Sequence, residues 1–201
     1  LNPTFAYDAN TSTYASLTNA LGVLCSVQET VKFSQMAKAG DQIVIVYGSN
    51  ADLLDVGLLS NATIQPSNSV NSTSSTALAL NSPLLNVNAI SGATTGTIKY
   101  TLTADSDQVK VEIGGLLSVL TNIRIYDVRL EFAKPTITGG ATQSVCLGQS
   151  IALTATPAAG TTLAWYSSPT STTALSSVNT FTTPALTTST TYYIGITRSA
   201  G

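Results

Sequence analysis

Apolar residues in this chain recur at every second position, and this period constrains the fold more than any other feature. In "DQVKVEIGG", Val109, Val111 and Ile113 alternate with Lys110 and Glu112. The stretch "GTIKYTLTA" repeats the pattern, and no long stretch has the three-to-four spacing of an amphipathic helix. A period of two predicts strands that bury one face and expose the other. The chain is therefore predicted to be all-β.

Two strands depart from simple alternation. "DQIVIVYG" contains a continuous apolar run, Ile43 to Tyr47, which predicts a central strand covered on both faces. In "NIRIYDVRLEF" the apolar phase changes halfway along the strand. This change predicts a β-bulge near Tyr126 and Asp127.

A Pro- and Gly-punctuated stretch, "AKPTITGGATQSVCLGQS", predicts a domain junction near Lys134. We therefore expect a first β domain over residues 1–133, which the resemblance described below implies to be jelly-roll-like, and a second β-sandwich over residues 134–201. The strands of the second domain are short and separated by turns, which is typical of a small sandwich.

Composition excludes several classes of function. Charged residues make up 9% of the 201 residues, the net charge is −2, and the few basic residues are scattered, which disfavours nucleic acid as a partner. No apolar run has the roughly 18–20 residues of a membrane-spanning helix. Histidine is absent, which removes the usual Ser-His and Cys-His nucleophile systems, and no phosphate-binding Gly-rich loop occurs. We expect a protein that is not an enzyme.

The second domain resembles the Ig-like modules of large surface proteins that Gram-negative bacteria export by the type IX route. The matching features are Cys146 before "GQSI", the "LTATP" strand, Trp165 in "AWYSS" and the Tyr-rich strand after "FTTPALTTST". The resemblance implies an Ig-like sandwich with Trp165 in its core. Members of this family continue past the Tyr-rich strand with a second cysteine and a final strand, so we expect residues 134–201 to lack the last strand.

This expectation predicts an open assembly edge on the Tyr-rich strand. Tyr192, Ile194 and Ile196 alternate on one face of that strand and would contact a strand donated by a neighbour. A second open edge is expected near Leu1, because the modules that the first domain resembles have a strand before this point.

The first domain resembles discoidin-like, galactose-binding-type jelly rolls through its opening "LNPTFAYDANTSTY". Their motif A-x-D-G-N-x-x-T-x-W corresponds to Ala6, Asp8, Asn10, Thr13 and Tyr14. The resemblance implies a structural calcium ion held by oxygen atoms of these loop residues. Asp8, Asn10 and Thr13 supply such oxygens, and Glu131 or Asp127 would complete the set. The alternative is an Asx turn capped by Asp8 and Asn10.

A glycan site on such a jelly roll needs exposed aromatic platforms. Tyr7, Tyr14 and Tyr47 are the candidates in this domain. The two cysteines, Cys25 and Cys146, lie in different domains, so each is either a buried free thiol or a partner in an intermolecular disulfide.

Together these features predict a non-catalytic extracellular protein at the bacterial surface, with any export signal removed or upstream. It would be a structural or adhesive subunit of a filament or of a long adhesin, and it would assemble by β-strand complementation with copies of itself or adjacent repeats. The alternative is a carbohydrate-binding module of a secreted multidomain protein, with surface glycans as partners. The chain is then a window of a longer protein or a complete subunit, a choice that the sequence leaves open.

Overall fold

The computed structural model describes residues 3–8, 10, 12–18, 26–49, 62–89, 95–114 and 122–198. The chain divides into two compact units, Leu1–Phe132 and Ala133–Gly201. Among the described residues the only helical element is a 3-10 turn, Pro3–Ala6, and every other regular element is a strand. The all-β prediction is therefore confirmed.

Ten strands are described in the first unit. They are β1 (Ala15–Thr18), β2 (Val27–Ala37), β3 (Gln42–Ser49), β4 (Ala62–Asn68), β5 (Thr73–Ser74), β6 (Leu78–Ala79), β7 (Leu85–Ala89), β8 (Thr95–Thr101), β9 (Ser106–Ile113) and β10 (Asn122–Glu131).

The first four strands pair in reverse order with later strands. β1 pairs with β10, β2 with β9, β3 with β8 and β4 with β6, and all of these pairs are antiparallel. One long hairpin is thus folded back into two sheets, ordered β1-β10-β3-β8-β7 and β2-β9-β4-β5. This nesting is the double Greek key of a jelly roll, so the predicted jelly-roll-like sandwich is confirmed.

The core of the first unit lies between these two sheets. Strand β3 runs between β10 and β8, and its Ile43 and Ile45 are fully buried in this core. Val44 is fully buried as well, although its side chain points to the opposite face of the sheet. The central-strand prediction for Ile43 to Tyr47 is confirmed.

The predicted bulge in β10 is also confirmed. Ile125 lies opposite Tyr47 and Asp127 lies opposite Val46, so Tyr126 is an extra residue in the pairing with β3. The extra residue moves Val128 into the core, where it is buried. The phase change in the sequence therefore keeps both halves of β10 facing the same core.

Five strands are described in the second unit. They are β11 (Thr136–Ile137), β12 (Ala152–Thr156), β13 (Thr162–Tyr166), β14 (Thr180–Thr182) and β15 (Tyr193–Thr197). One sheet has the order β11-β12-β14, and the other is the pair β13-β15. The unit is a small antiparallel sandwich, as the short, turn-separated strands predict.

Trp165 lies at the centre of the second core. It is buried, its indole N–H donates to the carbonyl oxygen of Val178 at 3.1 Å, and its ring centroid lies 5.9 Å from that of Phe181. Tyr192 completes the cluster by an edge contact with Phe181 at 5.0 Å. The inward-facing position implied for Trp165 is the one that the structure shows.

Candidate functional site

The feature that distinguishes the second unit is an apolar groove of 940 Å³ between its two sheets. Ile137 and Leu153 line it from one sheet, and Trp165, Ile194 and Ile196 line it from the other. Side chains that face the interior of a sandwich are normally covered by both sheets. The groove is a place where this cover is incomplete.

The cover is incomplete along strand β15. Its Ile194 and Ile196 lie opposite Trp165 and Leu163 on β13 and belong to the same core. The two β13 residues are buried, at 3% and 5% exposure, whereas the two isoleucines remain only partly buried. The core is therefore closed on the β13 side and open on the β15 side.

The backbone of β15 is open on the same side. In the described part of the chain β15 pairs with β13 and with no other strand. Alternate N–H and C=O groups of a strand with one partner point away from that partner, which leaves them available for a further strand. Tyr192, Ile194 and Ile196 lie beside this edge and line the groove, as the alternation in the sequence predicts.

The opposite face of β15 is closed by close packing. A Cβ atom on Gly195 would lie 2.7 Å from Cε2 of Tyr166, so the tyrosine ring lies directly over the glycine. The hydroxyl groups of Thr162 and Thr197 form a 2.8 Å hydrogen bond at the end of the same pair of strands. This face of β15 is therefore covered, whereas Ile194 and Ile196 on the other face line the groove.

The segment around Cys146 forms one rim of the groove. Val145 and Leu147 line it and are exposed by 37% and 79%. Cys146 lies between them and is an exposed free thiol. The intermolecular disulfide stays a prediction for Cys146, while Cys25 and the Leu1 edge lie outside the described residues. Sequence reasoning did not select Val145 and Leu147 as rim residues, although the apolar pair in "VCLG" signalled them.

The loop before β1 is an Asx turn in this structure. The backbone N–H of Asn10 donates to Asp8 Oδ1 at 2.9 Å, and the N–H of Ser12 donates to Asn10 Oδ1 at 3.0 Å. The Thr13 hydroxyl donates to Asp8 Oδ2 at 2.7 Å. Both carboxylate oxygens of Asp8 thus accept hydrogen bonds within the loop, which is the arrangement that the Asx alternative predicts.

Glu131 lies in an ion-pair network on the outer face of the first sheet. Its two carboxylate oxygens face Lys99 Nζ at 3.1 Å and Arg129 Nη2 at 3.2 Å. The hydrogen bond from Lys99 is the largest of the influences that lower the pKa of Glu131. Arg129 also donates to Asp127 at 2.6 Å, which raises the pKa of the guanidinium.

Lys99 and Arg129 thus balance the negative charges of Glu131 and Asp127. No group of three or more Cys, Asp or Glu side chains arranged to hold a metal was found in the part of the chain that the structure describes. The Asp8, Asn10 and Thr13 oxygens are the donors that would suit calcium, and a calcium site built on them stays a prediction.

The three proposed glycan platforms differ in exposure. Tyr7 and Tyr14 are exposed, at 54% and 38%. Tyr47 is 1% exposed, because it lies on the central strand β3 with its ring in the core, and burial raises its pKa. Tyr47 was therefore wrong as a platform: an inward position on a central strand has no access to a ligand.

Comparison with known proteins supports the identity of the second unit. Residues 133–201 match the family described as Ig-like domain CHU_C associated. This match confirms the Ig-like resemblance, while the discoidin-like resemblance of the first unit stays a prediction. No curated protein matches the chain. No helix among the described residues has the length and apolar character needed to cross a membrane.

Among solved structures, the chain is similar to a β-1,2-glucanase from Parabacteroides distasonis. The sequence identity is 13% and the TM-score is 0.45, and the match covers 96% of this chain and 31% of the glucanase chain. The chain thus spans about a third of the length of that enzyme, and the likeness is too distant to indicate its activity.

Proposed function

We propose that this protein is a non-catalytic structural or adhesive unit of a bacterial surface filament or long adhesin, and that it assembles by β-strand complementation. The Ig-like unit accepts a strand from a neighbouring unit along the free edge of β15. The neighbour is a second copy of this chain or an adjacent repeat of a longer polypeptide. The proposal places the protein outside the cell, as the family of its Ig-like unit suggests.

The observation that carries this proposal is the coincidence of an open backbone edge with an open apolar core. The edge of β15 offers main-chain hydrogen bonds, and the groove beside it offers contacts for side chains at alternate positions of an added strand. An ordinary edge strand has its core-facing side chains covered. Here one added strand would satisfy both the edge and the groove.

The energy of such an addition is large compared with the stability of a small domain. An added strand of about six residues would bury about three apolar side chains, at about 1.5–3 kcal/mol each. The total is on the order of 5–9 kcal/mol, and a whole domain is stable by about 5–15 kcal/mol. The unit therefore gains a substantial fraction of its stability from the strand that it accepts.

The chemistry of the groove defines the strand that it takes. Among the described residues that line the groove, only Lys134 is charged. The preferred occupant is an extended, uncharged segment with apolar residues at alternate positions. Binding of this kind depends little on ionic strength, because screening acts on charges and not on apolar contact.

A peptide binding experiment tests this proposal. The ligand is a fluorescent peptide in which Val and Thr alternate, with a terminal lysine at each end for solubility. The control peptide has the same composition with all valines grouped, so it cannot direct them to one face of a strand. We expect the alternating peptide to bind and the grouped peptide to bind at least about tenfold more weakly, a difference of about 1.4 kcal/mol.

Two matched variants locate the binding surface. Leu147→Asp places a charge on the groove rim, and Val178→Asp places one on an exposed site of the same unit that does not line the groove. Leu147→Asp should weaken binding at least about tenfold, and Val178→Asp should leave it within about twofold. Equal binding of both peptides, equal effects of both variants, or no binding at millimolar protein would each refute the proposal.

Sedimentation velocity then identifies the donor. Species larger than the 20.7 kDa chain indicate that a second copy supplies the strand. A monomer that binds the alternating peptide indicates that an adjacent repeat supplies the strand. A folded monomer that does not bind the peptide would show that the unit folds without an added strand.

A further inference from the structure

Strand β2 is the longest described strand of the jelly roll, and it lies at the end of its sheet. Its 11 residues pair with β9, and no second strand pairs with β2 in the part of the chain that the structure describes. The N–H and C=O groups on the outer side of such a strand are a template for a strand of another molecule. A protein that assembles through β15 therefore has a second edge at which a strand could add in error.

One charged residue of β2 lies on the face that is directed toward the core. Val27, Val31 and Phe33 alternate on this face, where Val31 is buried and the other two pack against the core. Glu29 follows the same alternation, and it lies opposite the buried Val111 of β9. Glu29 thus places a carboxylate in a row of apolar side chains at the edge of the core.

This position withdraws the Glu29 carboxylate from water in part. The side chain is intermediate in exposure, and desolvation raises its pKa. The charged neighbours on β9, Lys110 and Glu112, lie on the outer face of the sheet and pair with each other at 2.7 Å. An ionised carboxylate in the inward row stays solvated only through the open side of the edge strand.

A strand added to β2 would cover this open side. Its core-facing side chains would lie next to Val27, Glu29 and Val31, because side chains at paired positions of neighbouring strands are about 4.5–5.5 Å apart. The carboxylate would then lose water without gaining a positive partner, which is a strongly unfavourable change in a protein interior. Inward-pointing charges are one of the means by which edge strands are protected from pairing.

Two further features of β2 act in the same direction. Lys32 is exposed on the outer face of the strand. It lies opposite Gln108, whereas Ala37 lies opposite Ser106, so residues 33–36 form a bulge in the pairing with β9. A lysine and a bulge both disfavour strand addition at an edge, the bulge because it bends the strand. Strand β15 has neither feature, because its register with β13 is unbroken and it contains no charged residue.

We propose that Glu29 is a specificity-determining residue for assembly: its inward-facing carboxylate keeps strands from adding to β2 and so directs strand addition to β15. The direction to β15 rests on the proposed function, whereas the exclusion at β2 concerns the jelly-roll unit alone. The partner that Glu29 excludes is the one that β15 accepts, an extended uncharged strand with apolar residues at alternate positions.

Hydrogen exchange with the alternating Val-Thr peptide tests this role of Glu29. Glu29→Val replaces the carboxylate by the residue type of its neighbours, and Thr30→Val is a matched control on the exposed outer face of the same strand. The amides to compare are those of β2 that are directed away from β9. We expect the peptide to leave their exchange unchanged in the wild type and in Thr30→Val, and to slow it at least about tenfold in Glu29→Val.

Glu29→Gln separates the charge from the size of the side chain. It keeps the shape and removes the charge, so we expect protection of the β2 amides that is smaller than in Glu29→Val but larger than in the wild type. Circular dichroism verifies that each variant is folded, and Glu29→Gln keeps the test decisive if Glu29→Val does not fold.

Three results would overturn the proposal. They are protection of β2 by the peptide in the wild type, its absence in the folded Glu29 variants, and equal protection in Thr30→Val and Glu29→Val. The amides of β15 are measured in the same experiment and should respond equally in all variants. If β15 does not respond while β2 of Glu29→Val does, the proposed function fails and the exclusion at β2 stands.

Discussion

Gly96 on β8 is the position where a single methyl group should have the clearest effect on the jelly roll. It pairs with Tyr47 on one side and with Ala89 on the other. An added Cβ would lie 2.8 Å from the carbonyl oxygen of Asn88 and 2.9 Å from Cε1 of Tyr47. Neither atom can move easily, because one belongs to the backbone of a paired strand and the other to a buried ring.

The effect expected of Gly96→Ala on the free energy of unfolding is therefore opposite in sign to the usual effect of this substitution in a strand. In a strand, alanine is normally more stable than glycine by about 0.5–1 kcal/mol, because glycine loses more backbone entropy on folding. Overpacking a well-filled core costs about 1–3 kcal/mol. We expect Gly96→Ala to lower the free energy of unfolding of the first unit by about 1–2 kcal/mol, measured by hydrogen exchange of its strand amides at increasing urea concentration.

Gly114→Ala is the matched control. Its added Cβ would be 3.5 Å from Cβ of Ser26, which is ordinary contact, so the free energy of unfolding should be unchanged or slightly higher. The double variant Gly96→Ala with Tyr47→Leu should cost less than the sum of the two single variants, because removing the ring relieves one of the two contacts. A stabilising Gly96→Ala, or strict additivity in the double variant, would refute this reasoning.

Three further predictions concern polar groups. Tyr47→Phe should raise the free energy of unfolding by about 1 kcal/mol in urea denaturation, since it removes a buried hydroxyl group without a partner in the described residues; destabilisation would mean that the hydroxyl group has a partner. Burial alone would raise the pKa of Asp107, but hydrogen bonds from the hydroxyl and N–H groups of Ser69 outweigh it and lower the pKa. The stability that Asp107 contributes is thus present above about pH 4 and lost as the pH falls toward its folded pKa. Asp107→Asn should lower the free energy of unfolding by about 1–3 kcal/mol at pH 7 and reduce its decrease at acid pH, both measured by urea denaturation. An unchanged decrease at acid pH would contradict the role given to Asp107. If calcium binds at Asp8, the Tm should be higher in CaCl2 than in EGTA and the difference should vanish in Asp8→Asn; an equal Tm would leave the Asx turn as the whole explanation.

Much of the fold could be predicted because strand alternation is a local property. The bulge near Tyr126 was visible as a phase change, and the continuous run from Ile43 to Tyr47 indicated a central strand. Tyr47 ends this run and is buried, and its prediction as an exposed aromatic platform was wrong because that prediction rested on residue type alone. The register that places this ring in the core depends on pairing with β10 and β8, which are distant in sequence.

The sites were predictable to different degrees. The alternation of Tyr192, Ile194 and Ile196 was enough to place these side chains beside the open edge. The contacts of Tyr14 with Arg124 and Tyr126 were not predicted, because they join a loop before β1 to the bulge of β10, more than 100 residues later in the sequence. Only the pairing of these two strands brings Tyr14, Arg124 and Tyr126 together.

Hydrogen exchange at the amides of β15 tests directly whether this strand accepts a further strand. Exchange of residues 193–197 is measured in the free protein and with the alternating Val-Thr peptide. We expect alternate amides of β15, those directed away from β13, to exchange rapidly in the free protein and at least about tenfold more slowly with the peptide. If all amides of β15 are protected in the free protein, or if their exchange rates do not change with saturating peptide, then β15 does not accept a strand.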